Sequence, residues 1–123
     1  MAKFTCFEDI GAWQKARIAT KSIYLLTAQG LFAKDFGLRD QLRRASVSIM
    51  ANIAEGFGRR SDKEFANFLN IAHGSAAEAQ SHLYVALDLG YINQEEFDQT
   101  YSLLNETSRM TMNLATYLRQ ESR

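Results

Sequence analysis

Not one proline occurs in the 123 residues, although average usage is about 5%. Proline breaks helix interiors by removing an amide donor and clashing with the preceding turn, so a chain that avoids it is free to form long uninterrupted helices. The punctuation that remains is glycine and capping residues, and it divides the chain into helices expected at about 9–28, 38–56, 62–89 and 94–119. Phe7-Glu8-Asp9 opens the first and Gln29-Gly30 closes it, while Phe36-Gly37-Leu38 opens the second, which ends near Gly56-Phe57-Gly58. Ser61-Asp62-Lys63-Glu64 is a capping box, in which the serine hydroxyl accepts from the Glu64 amide and the Glu64 carboxylate reaches back. Gly90 supplies a left-handed exit, and Asn93-Gln94-Glu95-Glu96 repeats the capping pattern with carboxylates where the helix dipole favours them. Short connections make the expected fold all-α, an antiparallel up-down-up-down four-helix bundle forming one domain over residues 1–123.

Periodicity supports the helices and adds a second face. Phe65, Phe68, Leu69, Ala72, Ala76, Ala79, Leu83, Ala86 and Leu87 make one core stripe on the third helix. The second helix has Leu38, Leu42, Ala45, Ile49 and Ile53 on one stripe, but Val47, Met50, Ala54 and Phe57 widen its apolar arc. On the fourth, Phe97, Tyr101, Leu104, Ala115 and Leu118 form the core stripe, with Leu103, Met110, Leu114 and Tyr117 recurring on another side. Apolar spacing sustained on a second face points to a partner helix, most simply from another copy of the chain, so Val47, Met50, Leu103, Met110, Leu114 and Tyr117 are the expected subunit interface. The small-residue run from Ala72 to Ala77 predicts close helix approach, compensating the roughly 0.5–1 kcal/mol that Gly74 costs inside a helix.

Composition narrows the functional classes. With 46% apolar residues the chain can hold a core, and no apolar run is long enough for a membrane span. A single cysteine, Cys6, and no secretory leader pattern predict a cytoplasmic protein without internal disulfides. Net charge is zero, yet residues 1–63 carry eleven Lys and Arg against six Asp and Glu, and residues 64–123 carry three against eight. A basic half of +5 facing an acidic half of −5 matches within one chain or across subunits, or marks an anionic partner.

Chemistry-bearing patterns are sparse. His73 and His82 are nine residues apart on one helix and lack the i, i+4 spacing of a metal-binding pair. Glu55 and Glu78 lack the Glu-x-x-His companions of di-iron bundles, and no phosphate-binding glycine motif occurs, so no catalytic residue, metal or cofactor is expected. Asn52 and Glu55 form a polar pair on the second helix, and an enzyme or ligand site would need them to converge with Ser75 and Glu78. The bland alternative pairs Glu55 with Arg59, tucks Phe57 into the core and gives Gly56 and Gly58 positive φ. Arg39, Arg43 and Arg44, with Lys34, Arg17 and Lys21, make a basic stripe if the first two helices pack together, and Arg59 and Arg60 lie at the next helix start; these are the positions for RNA or DNA.

The segment from Lys34 to Ala45 (KDFGLRDQLRRA), followed by Ser48-Ile49 and Asn52-Ile53-Ala54-Glu55-Gly56-Phe57-Gly58-Arg59, resembles the signature of a bacterial family. These are the four-helix-bundle proteins encoded in intervening sequences of 23S ribosomal RNA genes, whose relatives include the accessory variability determinant of diversity-generating retroelements. The likeness continues through Phe7-Glu8-Asp9, Trp13-Gln14-Lys15-Ala16, Glu64-Phe65, Phe68-Leu69, Ile71-Ala72, Gly74-Ser75 and Glu78. It implies an antiparallel four-helix bundle in a ring-like homopentamer. The retroelement relative is a basic barrel that binds nucleic acid and its reverse transcriptase, which implies Arg39, Arg43, Arg44, Arg59 and Arg60 as contacts here. The two expected functions are therefore a non-enzymatic self-assembling scaffold and a nucleic-acid-binding accessory protein.

Overall fold

The computed structural model describes residues 4–121 as helices and short connections, with no strand among them. The elements are α1 (Gly11–Thr27), α2 (Gly30–Lys34), α3 (Phe36–Phe57), α4 (Asp62–Asp88) and α5 (Gln94–Glu121). The expected domain span also takes in residues 1–3 and 122–123, which lie outside the described residues.

Helix boundaries follow local chemistry. Phe7–Asp9 is a 3-10 turn rather than the start of α1, because Ile10 (φ −76°, ψ 119°) leaves the helical path and puts its own side chain into the core. The five-residue α2 is too short to show a periodic signal, and it enters through Gly30 at φ +54°. Asp35 then caps α3, accepting from the Leu38 amide at 3.1 Å, a cap that Phe36-Gly37-Leu38 had masked. Ser61 caps α4 by accepting from Glu64 N at 3.1 Å. At α5 both halves of the box form: Glu96 N donates to Asn93 Oδ1 at 2.8 Å, and Asn93 N donates to Glu96 Oε1 at 2.9 Å. Gly90, at φ +74°, provides the left-handed exit after α4.

The four long helices enclose one core, each packed on two neighbours: α1 on α3 and α5, and α4 on α3 and α5. Contacts between neighbours run in opposite numerical order. Lys15 pairs with Glu106 and Ser22 with Thr100 across α1 and α5; Thr20 meets Ser46 and Thr27 meets Arg43 across α1 and α3. Ser48 meets Ser75 and Phe57 meets Phe65 across α3 and α4; His73 meets Ser108 and Tyr84 meets Phe97 across α4 and α5.

Alanine sets the helix separation. Ala12, Ala16 and Ala19 on α1, and Ala66, Ala72, Ala76, Ala79 and Ala86 on α4, are buried around Ile23, Leu42, Ile49, Ile53, Leu69, Leu83 and Leu104. Buried threonines stay satisfied within their own helices: Thr27, Thr107 and Thr111 each donate to the carbonyl four residues earlier. Gly56 corrects the expectation of positive φ. It is a helical residue over which α4 lies so closely that a Cβ would meet Phe68 Cβ at 2.7 Å. Gly58 has φ −77° and likewise needs no left-handed turn. Gly74 is the converse: a Cβ there meets nothing within 4 Å, so the close approach uses Ala72, Ser75 and Ala76, and Gly74 faces outward.

Two stability outcomes follow. Leu83→Ala, which empties a fully buried site, lowers unfolding free energy in urea by about 2–5 kcal/mol. Gly56→Ala, which forces a methyl into the α3–α4 contact, lowers it by about 1–3 kcal/mol.

Candidate functional site

Three of the five expected nucleic-acid contacts are turned onto their own chain. Arg39 bonds Asp40 at 2.9 Å and the Ala33 carbonyl at 3.0 Å, with its guanidinium 4.7 Å from the Phe36 ring centre. Arg43 donates to Thr27 Oγ1 at 2.8 Å and lies 4.6 Å over Tyr24. Arg59 pairs with Glu55 at 2.7 Å and lies 4.6 Å over Phe68. Such intrachain pairs and cation–π contacts fix the guanidinium planes and offset part of their charge. Arg44 and Arg60 are exposed, with no ion pair or hydrogen bond among the described residues.

The polar residues separate into staples. Asn52 donates to the Ser48 carbonyl at 2.8 Å and to its hydroxyl at 3.0 Å, and Ser48 in turn bonds Ser75 across to α4 at 2.9 Å. Glu55 points away to Arg59, and Glu78 lies 3.3 Å from His82 on its own helix. Asn52 and Ser75 thus meet through Ser48, and the two carboxylates do not join them. His73 bonds the largely buried Ser108 hydroxyl, tying α4 to α5 in helix interiors whose backbone amides are already engaged. Desolvation, then the Asp9 and Glu8 carboxylates, push the exposed Cys6 thiol above its ordinary value, opposite to what a nucleophile needs. Among the described residues no three His, Cys, Asp or Glu side chains group for a metal.

The second apolar faces have a distribution that the sequence did not resolve. Met50, Leu103, Met110, Leu114 and Tyr117 are half-buried against the core, with Met110 reaching the start of α1 beside Gly11; Val47 stays 44% exposed. Other exposed apolar side chains lie on α1, Ile18 at 52% and Leu25 at 57%, and on α4, Ile71 at 53% and Val85 at 43%, while Leu31, Phe36 and Leu89 are exposed near helix ends. The seven- and fourteen-residue separations of the α1 and α4 pairs, two and four helical turns, were available in the sequence, but beside the strong core stripes of the same helices they did not stand out. The outer face of α5, by contrast, is polar, with Ser102, Asn105, Arg109 and Asn113 exposed.

At the end of the bundle formed by α2 and the α4–α5 connection, Leu31, Lys34, Phe36, Gly37 and Tyr91 border a groove of about 520 Å³. Asp35 clasps that end, capping α3 with one oxygen and accepting from the Tyr91 hydroxyl at 2.9 Å with the other. This hydrogen bond first, then desolvation and the Asp35 charge, raise the Tyr91 phenol above its ordinary value near 10.0. The folded-state pKa is raised, so the bond's contribution is present below the unfolded value and is lost as pH rises through the folded one. Tyr91→Phe therefore lowers stability at pH 7 and flattens the loss of stability above pH ~10, read by urea denaturation across that range.

Among the described residues no helix is long and apolar enough to cross a membrane. A search of curated proteins finds no match. A crystal structure at 1.70 Å of a protein with unknown function from the S23 ribosomal protein family of Bacteroides thetaiotaomicron is similar, with a TM-score of 0.77 and 25% identity over 85% of this chain and 97% of that one. The family model described as 23S rRNA-intervening sequence protein matches residues 8–113, a span from the 3-10 turn to the last third of α5, and the chain belongs to that family.

Proposed function

We propose that the chain is a non-enzymatic, cytoplasmic building block, an antiparallel up-down-up-down four-helix bundle that assembles with copies of itself into a pentameric scaffold for another macromolecule. The opposite numerical order of contacts between every pair of neighbouring long helices supports the up-down arrangement. The observation that carries self-assembly is the set of exposed apolar side chains at helical spacing on α1 and α4, outside a core that is already filled. Pentamer number, and kinship with the accessory variability determinant of retroelements, come from the motif resemblance.

A second reading is a nucleic-acid-binding accessory protein, the partner being RNA, DNA or a nucleic-acid enzyme. It is favoured by exposed Tyr24 and Phe36, whose stacked Arg43 and Arg39 sit near exposed Lys21, Lys34 and Arg44, an aromatic and basic combination that stacks bases. Against it stand the zero net charge and the intrachain engagement of Arg39, Arg43 and Arg59.

Light-scattering chromatography at low and high salt, with absorbance at 260 nm, separates the two. The scaffold reading predicts a mass near five chains with no excess absorbance at either salt. A single-chain mass at micromolar concentration overturns it, and nucleic acid that co-elutes at low salt and leaves at high salt establishes the second reading.

A further inference from the structure

α1 and α4 lie across the bundle from one another, each flanked by α3 and α5, and each turns one stripe outward. On α1 the stripe is Gln14, Ile18, Lys21, Leu25 and Ala28, and on α4 it is Asn67, Ile71, Gly74, Glu78, Ser81 and Val85. All these residues are exposed, and within each stripe they alternate four- and three-residue steps, the spacing of a helix-docking seam. A groove of about 420 Å³ runs along the first, bordered by Trp13, Arg17, Ile18 and Lys21.

The two stripes are complementary in charge and in size. α1 has no carboxylate, and with Lys15 paired to Glu106 its outward charges are Arg17 and Lys21. On α4, Lys63 offsets one of the two first-turn carboxylates, Asp62 and Glu64, and the rest of the helix carries Glu78, which also reaches His82, and Asp88. Ile18 and Leu25 are seven residues apart, as are Gly74 and Ser81. Two large side chains on one helix thus face two small ones on the other, two turns apart, with Lys21 beside Glu78 in either relative direction. Gly74 weakens its helix, and with nothing within 4 Å of a Cβ no neighbour in the same chain uses the space it leaves, whereas a helix from a second copy can.

We infer that the outer stripe of α1 docks on the outer stripe of α4 in a second copy of this chain. Because the two faces differ, the contact is heterologous, and each copy keeps one free face for the next until a ring closes. This rests on the self-assembly reading and specifies its contact, which uses α1 and α4 rather than the half-buried residues of α3 and α5.

The test is the light-scattering mass of the full chain and its variants, with circular dichroism as the check on folding. Gly74→Leu places its side chain in open space in a single copy, so helicity holds while the mass falls to that of one chain, 13.9 kDa. Lys21→Glu and Glu78→Lys each lower the mass, and the double variant restores it. Ser102→Glu on the polar face of α5 leaves it unchanged. A wild-type chain that is itself single overturns both self-assembly and this contact. An oligomeric wild type whose Gly74→Leu and charge-reversed variants keep its mass overturns the contact alone.

Discussion

Everything in this bundle depends on how closely α3 and α4 can approach. Gly56 lies against Phe68, Ser48 bonds Ser75, and Ala45, Ala72 and Ala76 are buried nearby. Small side chains put little apolar area into the core by themselves, but they let the helices come near enough to bury Ile49, Ile53 and Leu69 completely. Asn52 completes the contact, spending its amide on Ser48 so that the seryl pair is oriented and no donor is left over. A polar pair that reads from sequence as a potential reactive site is therefore a joint, and Glu55 is released to hold Arg59 at the surface.

Once α3 and α4 are set, α5 and α1 close the bundle by different means. α5 bonds α4 through His73 and Ser108 and packs Phe97 and Tyr101 at steep angles against Tyr84, while α1 is fixed by Lys15 to Glu106 and by Arg43 reaching Thr27. The basic residues of the first half are consumed in this closure to a degree that charge counting does not reveal. A guanidinium lying over an exposed aromatic and bonded to its own chain is a structural element, and only Arg44 and Arg60 of the five keep an open aspect.

Most of the fold was legible because caps and periodicity act locally. Asn93 and Glu96 announce α5 within four residues, and Leu42, Ile49 and Ile53 mark the buried side of α3 without any knowledge of what lies opposite. What stayed hidden depends on partners distant in sequence. Nothing near Gly56 tells that Phe68 will cross it, and nothing near Met110 tells that its end will reach Gly11 at the start of α1. The five-residue α2 and the bend at Ile10 escape because a single turn carries no period. How much of the wide apolar arcs of α3 and α5 the chain's own core covers is settled only when the neighbouring helices are placed beside them.

The outside of the molecule is thus uneven: polar along α5, apolar and basic along α1, apolar and acidic along α4. Lysine acylation reads that asymmetry in solution, because Lys21 lies in the α1 stripe while Lys34 lies outside it and both are exposed in one copy. If copies dock through α1 and α4, Lys21 is modified far more slowly than Lys34 at high protein concentration and catches up on dilution. Equal modification of the two at every concentration would contradict the account.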